Sequence, residues 1–401
     1  MFKDTKKSAS SIEVRTRRRR FFAGLATVIA VALVMSGCGS SATTGGGTAT
    51  TGGSSSSSGV TYAASQLAKY ESPSGVFTPP GPALTNVASL KGKTVWYVPI
   101  ALQVPFFAGV IAGMTSALGM AGMNLHVCDG AGIASTISQC LNQAAAAKPA
   151  AVVVDSISNE LAPTAFAALK QAQVPVASGN EGYLSPGTNS LAYVSYDGPK
   201  MLALTADSVI NDSKGKADVL IAEVSDSGYT TAAVQDGALP EFSKYCPACK
   251  VKVIAATTAN YAQYATLTAT AFASDPSINY VIPEYDSTIL GVTQGLQSAG
   301  TANKVKMATS TSTLIGLQDI KSGKLISDTG FDVYGEGFAY VDQALRLALN
   351  QSPVQNENLG LKVFSPSNIV GLELTAVAAD NGSWFGSGGY KDGFKKLWGL
   401  S

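Results

Sequence analysis

From Lys93 onward, short apolar runs alternate with amphipathic stretches of helical length, and that alternation admits few folds. The run TVWYVP at 94–99 predicts a strand, and 106–120 predicts a helix. The pattern continues with a strand at 125–128, a helix at 134–147, a strand at 150–154, a helix at 161–173, and strands at 174–178 and 191–194. The segment 150–154 is apolar throughout rather than alternating, as a strand covered by helices on both faces must be. Strands separated by helices of roughly 10–15 residues form right-handed βαβ units and hence a parallel sheet.

The same rhythm restarts after residue 196. Helices are expected at 199–210, 229–245, 261–274 and 287–299, with strands at 217–223, 251–256, 280–283 and 305–309. A strand at 324–328 and a helix at 335–350 follow, and then a less regular tail. The expected fold is therefore α/β, with two doubly wound parallel-sheet lobes in tandem. Ligands bind such sheets beyond the carboxyl ends of the strands, so two facing sheets would place their loops around one cleft.

Residues 1–38 read as a targeting segment rather than structure. Arg15 and Arg17 to Arg20 form a basic region ahead of a short apolar stretch from Phe21 to Met35, too short for a comfortable membrane span. The run LVMSGC, ending at Cys38, resembles a bacterial lipobox, in which the cysteine is lipidated and becomes the mature N-terminus. The segment Arg18-Arg19-Arg20-Phe21-Phe22 also fits a twin-arginine signal, so both export routes stay open. From Gly39 to Gly59 the chain is almost entirely Gly, Ser, Thr and Ala, a composition that buries too little apolar surface to order itself. Residues 39–90 are expected to act as a tether and a polar lead-in that wraps loosely before the fold begins, holding an exported domain off the extracytoplasmic face of the cell membrane.

Composition excludes several activities. With 28 basic and 27 acidic side chains the chain offers no field for a polyanion, so nucleic acid is not an expected partner. A single histidine, His126, sits on a predicted strand and reads as a core or edge residue. Catalytic triads and most zinc sites need histidine, and no nucleophile–base pair is apparent, so neither an enzyme nor a metal or other cofactor is expected.

The order and spacing of several local runs carry a family resemblance: VPFF at 104–107, KPAAVVVD at 148–155, VPV at 174–176, Tyr285-Asp286 leading into GVTQGLQSAG at 291–300, and DVYGEGF at 332–338. Together they resemble the type I periplasmic binding proteins, in the branch that includes ribose-type sugar receptors of ABC importers. The resemblance implies two lobes joined by a three-strand hinge: a first lobe of 92–195 plus 330–350, and a second of 196–329 plus 351–401. It also implies a monomer that captures a small molecule and hands it to an ABC transporter permease. A ligand-presenting sensor subunit for a membrane receptor or kinase is the alternative.

Carried over residue by residue, the family's ring-stacking positions fall on Phe106 and Phe107. Asp155 stands at a strand end, where a carboxylate can accept hydroxyl hydrogen bonds or simply form a turn. Other positions depart from the sugar receptors. Asn180-Glu181 replaces an Asp-Arg pair, Val234 replaces an arginine, the stretch around Ser310 replaces an aspartate, and Phe331 replaces the hinge glutamine. These changes leave rings and hydroxyls at Tyr229, Tyr261, Tyr285, Ser310 and Phe331. The implied ligand is less polyhydroxylated than ribose, with an aromatic or amine-bearing molecule among the options. Asp155, Glu181, Glu284 and Asp286 are the carboxylates that would serve an amine, or else solvated rim charges.

Four cysteines follow Cys38, an even number in an exported chain, which favours two disulfides. Cys128 with Cys140, and Cys246 with Cys249, are the expected pairs. The Cys246-Pro247-Ala248-Cys249 motif follows a predicted helix rather than opening one, so it reads as a loop clip and not as a redox centre.

Overall fold

The computed structural model describes residues 54–72, 77–182, 184–357, 359–379, 381–386 and 389–400. The leader, Cys38 and the Gly/Ser/Thr-rich stretch up to residue 53 lie outside the described residues.

Strands β1 (Thr94–Pro99), β2 (Asn124–Val127), β3 (Ala151–Asp155), β4 (Val176–Gly179) and β5 (Leu191–Val194) form one sheet in the order β2-β1-β3-β4-β5, parallel throughout. Strands β6 (Asp218–Val224), β7 (Lys250–Ala256), β8 (Tyr280–Pro283), β9 (Lys306–Thr311), β10 (Leu325–Phe331) and β11 (Leu361–Phe364) form the second. Its order is β11-β10-β9-β8-β6-β7, parallel except where β11 runs against β10. Both sheets thus share one winding, with the order reversing beside β1 and beside β6. Those reversals open the crevices in which doubly wound sheets hold ligands.

The helices come from the expected segments, with the helices Phe106–Met120 and Ala134–Ala147 bounded as the periodicity predicts. The helix expected at 229–245 is broken instead into Gly228–Ala232, a π-helical turn at Ala233–Ala238, and Leu239–Tyr245. Gly237 in that turn lies against Pro199, where a Cβ would stand 2.2 Å from the carbonyl oxygen. After β10 the helix Val333–Ala348 returns to the first sheet and packs against Phe106–Met120. Glycines allow that approach: a Cβ on Gly113 would lie 2.1 Å from the Tyr334 carbonyl oxygen, and one on Gly337 would lie 2.5 Å from that of Val110.

The main chain crosses between the sheets at 195–197, at 331–333 and at 349–360, the three passages of the hinge. The tail does not stay with the second lobe as the sequence suggested. Phe364, Ile369, Trp384 and Phe385 join the second core, but Phe394, Leu397 and Trp398 of the last helix, Tyr390–Leu397, and its C-terminal edge enter the first. The amphipathic spacing of those three residues explains the docking, because they face the helix Val333–Ala348, with Phe394 and Trp398 against Phe338.

The lead-in also differs from the expected loose wrap. Residues Ser54–Tyr70 form a helix that packs on the helices Gly198–Asp212 and Leu239–Tyr245 of the second lobe. Ala63 and Leu67 are buried there, and the Tyr62 ring stacks on Tyr245 at 3.6 Å. Its glycine matters too, since a Cβ at Gly59 would meet the Tyr245 carbonyl oxygen at 1.8 Å. Small residues hid this helix in the sequence: its serines and alanines give it no strong apolar stripe, and the long helix beneath supplies the missing surface. Gly59→Leu is expected to undock it and lower stability by about 2–4 kcal/mol, the burial of one leucine plus one aromatic stack. Thermal denaturation of the variant checks this, and ligand affinity should stay unchanged.

The disulfides join Cys128 to Cys140 and Cys246 to Cys249. The first ties the end of β2 to the following helix, and the second closes the turn before β7.

Candidate functional site

Nine of the eleven strands deliver residues to one cavity between the sheets. Ile100 and Val104 to Phe107 follow β1, Ser156 follows β3, Asn180 follows β4, and Tyr196 follows β5. From the second sheet come Val224 and Asp226 at the end of β6, Thr258 and Tyr261 after β7, and Tyr285, Asp286 and Ser287 after β8. Thr311, Thr313 and Phe331 come from the ends of β9 and β10. The cavity volume is about 80 Å³.

Six aromatic rings line it: Phe106, Phe107, Tyr196, Tyr261, Tyr285 and Phe331. The two hinge rings stack on each other, Tyr196 on Phe331 at 4.3 Å and 22°. Phe106 meets Phe107 edge-on at 5.1 Å and Phe331 edge-on at 6.1 Å. The Tyr196 hydroxyl donates to that of Tyr285 at 3.3 Å, and Ser287 donates to Tyr261 at 3.3 Å. Burial raises all three cavity tyrosines, Tyr261 to about 12, so the hydroxyls stay neutral.

The polar part of the wall is rich in acceptors. Asp226 Oδ2 accepts from Thr258 N at 2.7 Å and from its hydroxyl at 2.6 Å. Asp286 Oδ2 does the same with Thr313, both at 2.7 Å, which fixes the entry to the helix Leu314–Lys321. The other Asp286 oxygen faces Asp328: a Cβ at Gly316 would lie 2.6 Å from Asp286 Oδ1 and 2.0 Å from Asp328 Oδ2. Burial raises Asp286 to about 7 and pushes Asp328 well up, so the two carboxyls share a proton. Asn180 donates to Asp155 Oδ1 at 2.9 Å and to the Tyr340 hydroxyl at 3.2 Å, while its own Oδ1 is buried without a hydrogen-bond partner.

The backbone of this wall takes positive φ at three non-glycine residues. Ser156, Asn180 and Thr311 have φ of 57°, 55° and 109°. An asparagine tolerates this region, but a β-branched threonine is costly there, a pattern typical of sites where structure over-determines geometry.

Of the residues singled out from sequence, Phe106, Phe107, Asn180, Tyr261, Tyr285, Asp286 and Phe331 stand on the cavity wall. Asp155, Glu181, Tyr229 and Ser310 are not on it. Asp155 lies one layer behind Asn180, fully buried, and accepts from the Tyr97 hydroxyl at 2.6 Å. Tyr229 sits behind Tyr196 and donates its hydroxyl to the Tyr196 carbonyl. Ser310 donates to the Glu284 carbonyl and faces away, because alternate residues of a strand point to opposite sides. Glu181 is buried outside the wall, and burial raises it to about 7. Glu284 is fully buried behind the wall and accepts from Val224 N at 2.5 Å, and Val234 packs in the second lobe's core. Sequence reasoning missed Tyr196 and Asp226. Their signal was position: each closely follows the carboxyl end of a predicted strand.

No curated protein matches this sequence. Solved structures do match its fold. It is similar to an ABC transporter solute-binding protein from Agrobacterium vitis bound with α-D-tagatopyranose, at 19% identity and a TM-score of 0.63, covering 70% of this chain and 96% of that one. It is similar to GanP, a glucose-galactose binding protein from Geobacillus stearothermophilus, at 17% identity and a TM-score of 0.63, over 70% of this chain and 100% of that one. A 5-methylthioribose transporter solute-binding protein from Thermotoga lettingae matches at 17% identity and a TM-score of 0.61, over 69% and 88%. The family described as periplasmic binding protein domain matches residues 95–352, which span β1 to the third hinge passage. Two parallel sheets of one winding, a three-passage hinge and a cavity at their facing carboxyl ends place this chain in the periplasmic binding protein domain family.

Proposed function

We propose that this protein is an extracytoplasmic solute receptor, anchored through a lipid on Cys38, that closes its lobes over one small molecule and passes it to an ABC importer. The observation that carries this reading is the cavity fed by nine strand ends from both sheets, with two hinge rings in its wall. Such a site is filled only when the lobes meet, which is what a receptor presenting a closed state to a permease requires. The wall is built for binding rather than for bond-making: among the described residues it holds rings and acceptors, and no histidine, cysteine or lysine. Solute-binding proteins of this fold hold sugars, among them tagatopyranose and 5-methylthioribose. Six rings and few amides in this cavity favour a small ligand with fewer hydroxyls than those sugars.

Thermal shifts against sugars, polyols, amines and small aromatics test the reading. A true ligand at 100 times its Kd adds about 2.7 kcal/mol of stability. Phe106→Ala is expected to weaken that ligand by roughly 10–100-fold, the loss of one buried ring contact, with little change in the stability of the empty protein. Unchanged affinity in this variant would remove Phe106 from the site.

A further inference from the structure

The carboxyl groups around the cavity have no basic counterpart. Among the described residues, no Lys, Arg or His lines it. Arg346 is the only arginine after residue 20, and it is committed to Asp342 inside the first lobe. Against this stand Asp226 and Asp286 on the wall, with Asp155, Glu284 and Asp328 buried within a layer of it. The strongest charges acting on Glu181, Glu284 and Asp286 are other carboxyls. Asp226 is half-buried on this ring-lined wall with no base beside it, a carboxylate whose counter-charge a ligand can supply.

The hydrogen-bonding inventory points the same way. Asn180 is 3% exposed, and its amide nitrogen is used by Asp155 and Tyr340, so only Oδ1 remains for the cavity. Thr311 Oγ1 is likewise buried without a partner. Asp226, on the same wall, accepts both hydrogen bonds of Thr258 at Oδ2. What is left open is acceptor oxygen and hydroxyl, and a protonated amine presents three donors and no acceptor.

We infer that the ligand of this cleft carries a protonated primary amine, received by Asp226 and Asn180 Oδ1 and flanked by the faces of the aromatic rings. The inference rests on the receptor reading above and adds the charge of the solute. Rings supply cation–π attraction that grows as water is expelled on closure, and the carboxylates supply the counter-charge. The apolar rings then hold the rest of the molecule. The raised position of Asp286 agrees, since an arriving cation would release the proton it shares with Asp328.

The test uses the full-length protein, freed of retained solute by dialysis in mild denaturant, and matched pairs that differ only in charge. These are D-glucosamine with D-glucose, 2-phenylethylamine with 2-phenylethanol, and putrescine with 1,4-butanediol, titrated by calorimetry. At least one amine is expected to bind about 10–100-fold more tightly than its alcohol, the range of a charge-assisted hydrogen bond. Asp226→Asn should remove most of that preference, weakening the amine at least about fivefold more than its alcohol. Equal or tighter binding of the neutral members overturns the amine and leaves the receptor reading standing. So does an equal loss for both members in Asp226→Asn, which would mark Asp226 as structural. If none of the six binds while a neutral solute from the wider panel does, the amine is again excluded. If nothing binds in either panel, both readings fall.

Discussion

Asp342→Ala is expected to destabilise the protein by about 3–5 kcal/mol, the usual result of leaving one partner of a buried ion pair alone. Asp342 and Arg346 are 0% and 1% exposed at their side chains, and Arg346 Nε lies 2.6 Å from Asp342 Oδ2. The pair also ties down both ends of the fold. Trp398 Nε1 donates to Asp342 Oδ1 at 2.7 Å, and Arg346 Nη2 donates to the Pro82 carbonyl at 3.1 Å. Removing the carboxylate therefore strands a guanidinium and an indole N–H together. One neighbour limits the damage. Glu357 is buried, and burial together with Asp342 holds it well above the usual carboxylate range. Without Asp342 it can ionise beside Arg346 and offset part of the loss. The double variant Asp342→Ala, Glu357→Gln should accordingly lose more than the two single variants added, because Glu357→Gln alone removes no charge at neutral pH. Chemical denaturation of the four proteins measures that excess. A strictly additive result would exclude the rescue.

The empty protein should be most stable near pH 4–5 and weaken steadily towards pH 8. Burial raises Asp332 to about 6, Glu181 and Asp286 to about 7, and Asp207, which also faces the Glu241 carboxyl, to about 8. Each keeps its proton in the folded chain at a pH where the unfolded chain has already lost it. The native state thus binds more protons than the unfolded state between about pH 4 and pH 8, so stability falls across that window. A carboxyl whose pKa rises by one on folding costs about 1.4 kcal/mol once the pH exceeds both values. With solvent relaxation allowed for, the four together cost on the order of 5 kcal/mol, or roughly 10 °C in Tm. Asp275, lowered to about 2 by Lys252, acts in the opposite sense but only in stronger acid. Melting curves of ligand-free protein from pH 4 to pH 8 check the slope, and a Tm that rises across this window would contradict the account. Asp286→Asn should flatten part of it, because an amide can keep both Thr313 bonds and donate to Asp328 with no proton to lose.

Much of the architecture was legible because it rests on local pattern. Helix and strand periods along the chain, and an unbroken apolar run at β3, suffice for two doubly wound sheets, since a strand buried on both faces has no alternation to display. The same reading brought seven chosen residues to the cavity wall, because a position after a predicted strand end is also a position in the cleft. It failed wherever side-chain direction or a distant partner decides. Ser310 and Thr311 are neighbours in sequence, and pleating sends only the second to the cavity. Asp155 stands at the end of a strand as expected, but Tyr97 and Asn180 close over it.

By itself, then, the sequence determined the class of fold, its two halves and the aromatic character of the cavity. Local propensity and composition carry all three, and they need no knowledge of what packs where. Only the tertiary structure decided that Ser54–Tyr70 is a docked helix, that the last helix returns to the first lobe, and that Asp286 meets Asp328. It also decided that Tyr196 and Phe331, far apart in the chain, stack at the hinge. Each of these contacts joins segments distant in sequence, and its energy comes from burial and charge pairing that exist only once the chain has folded back on itself.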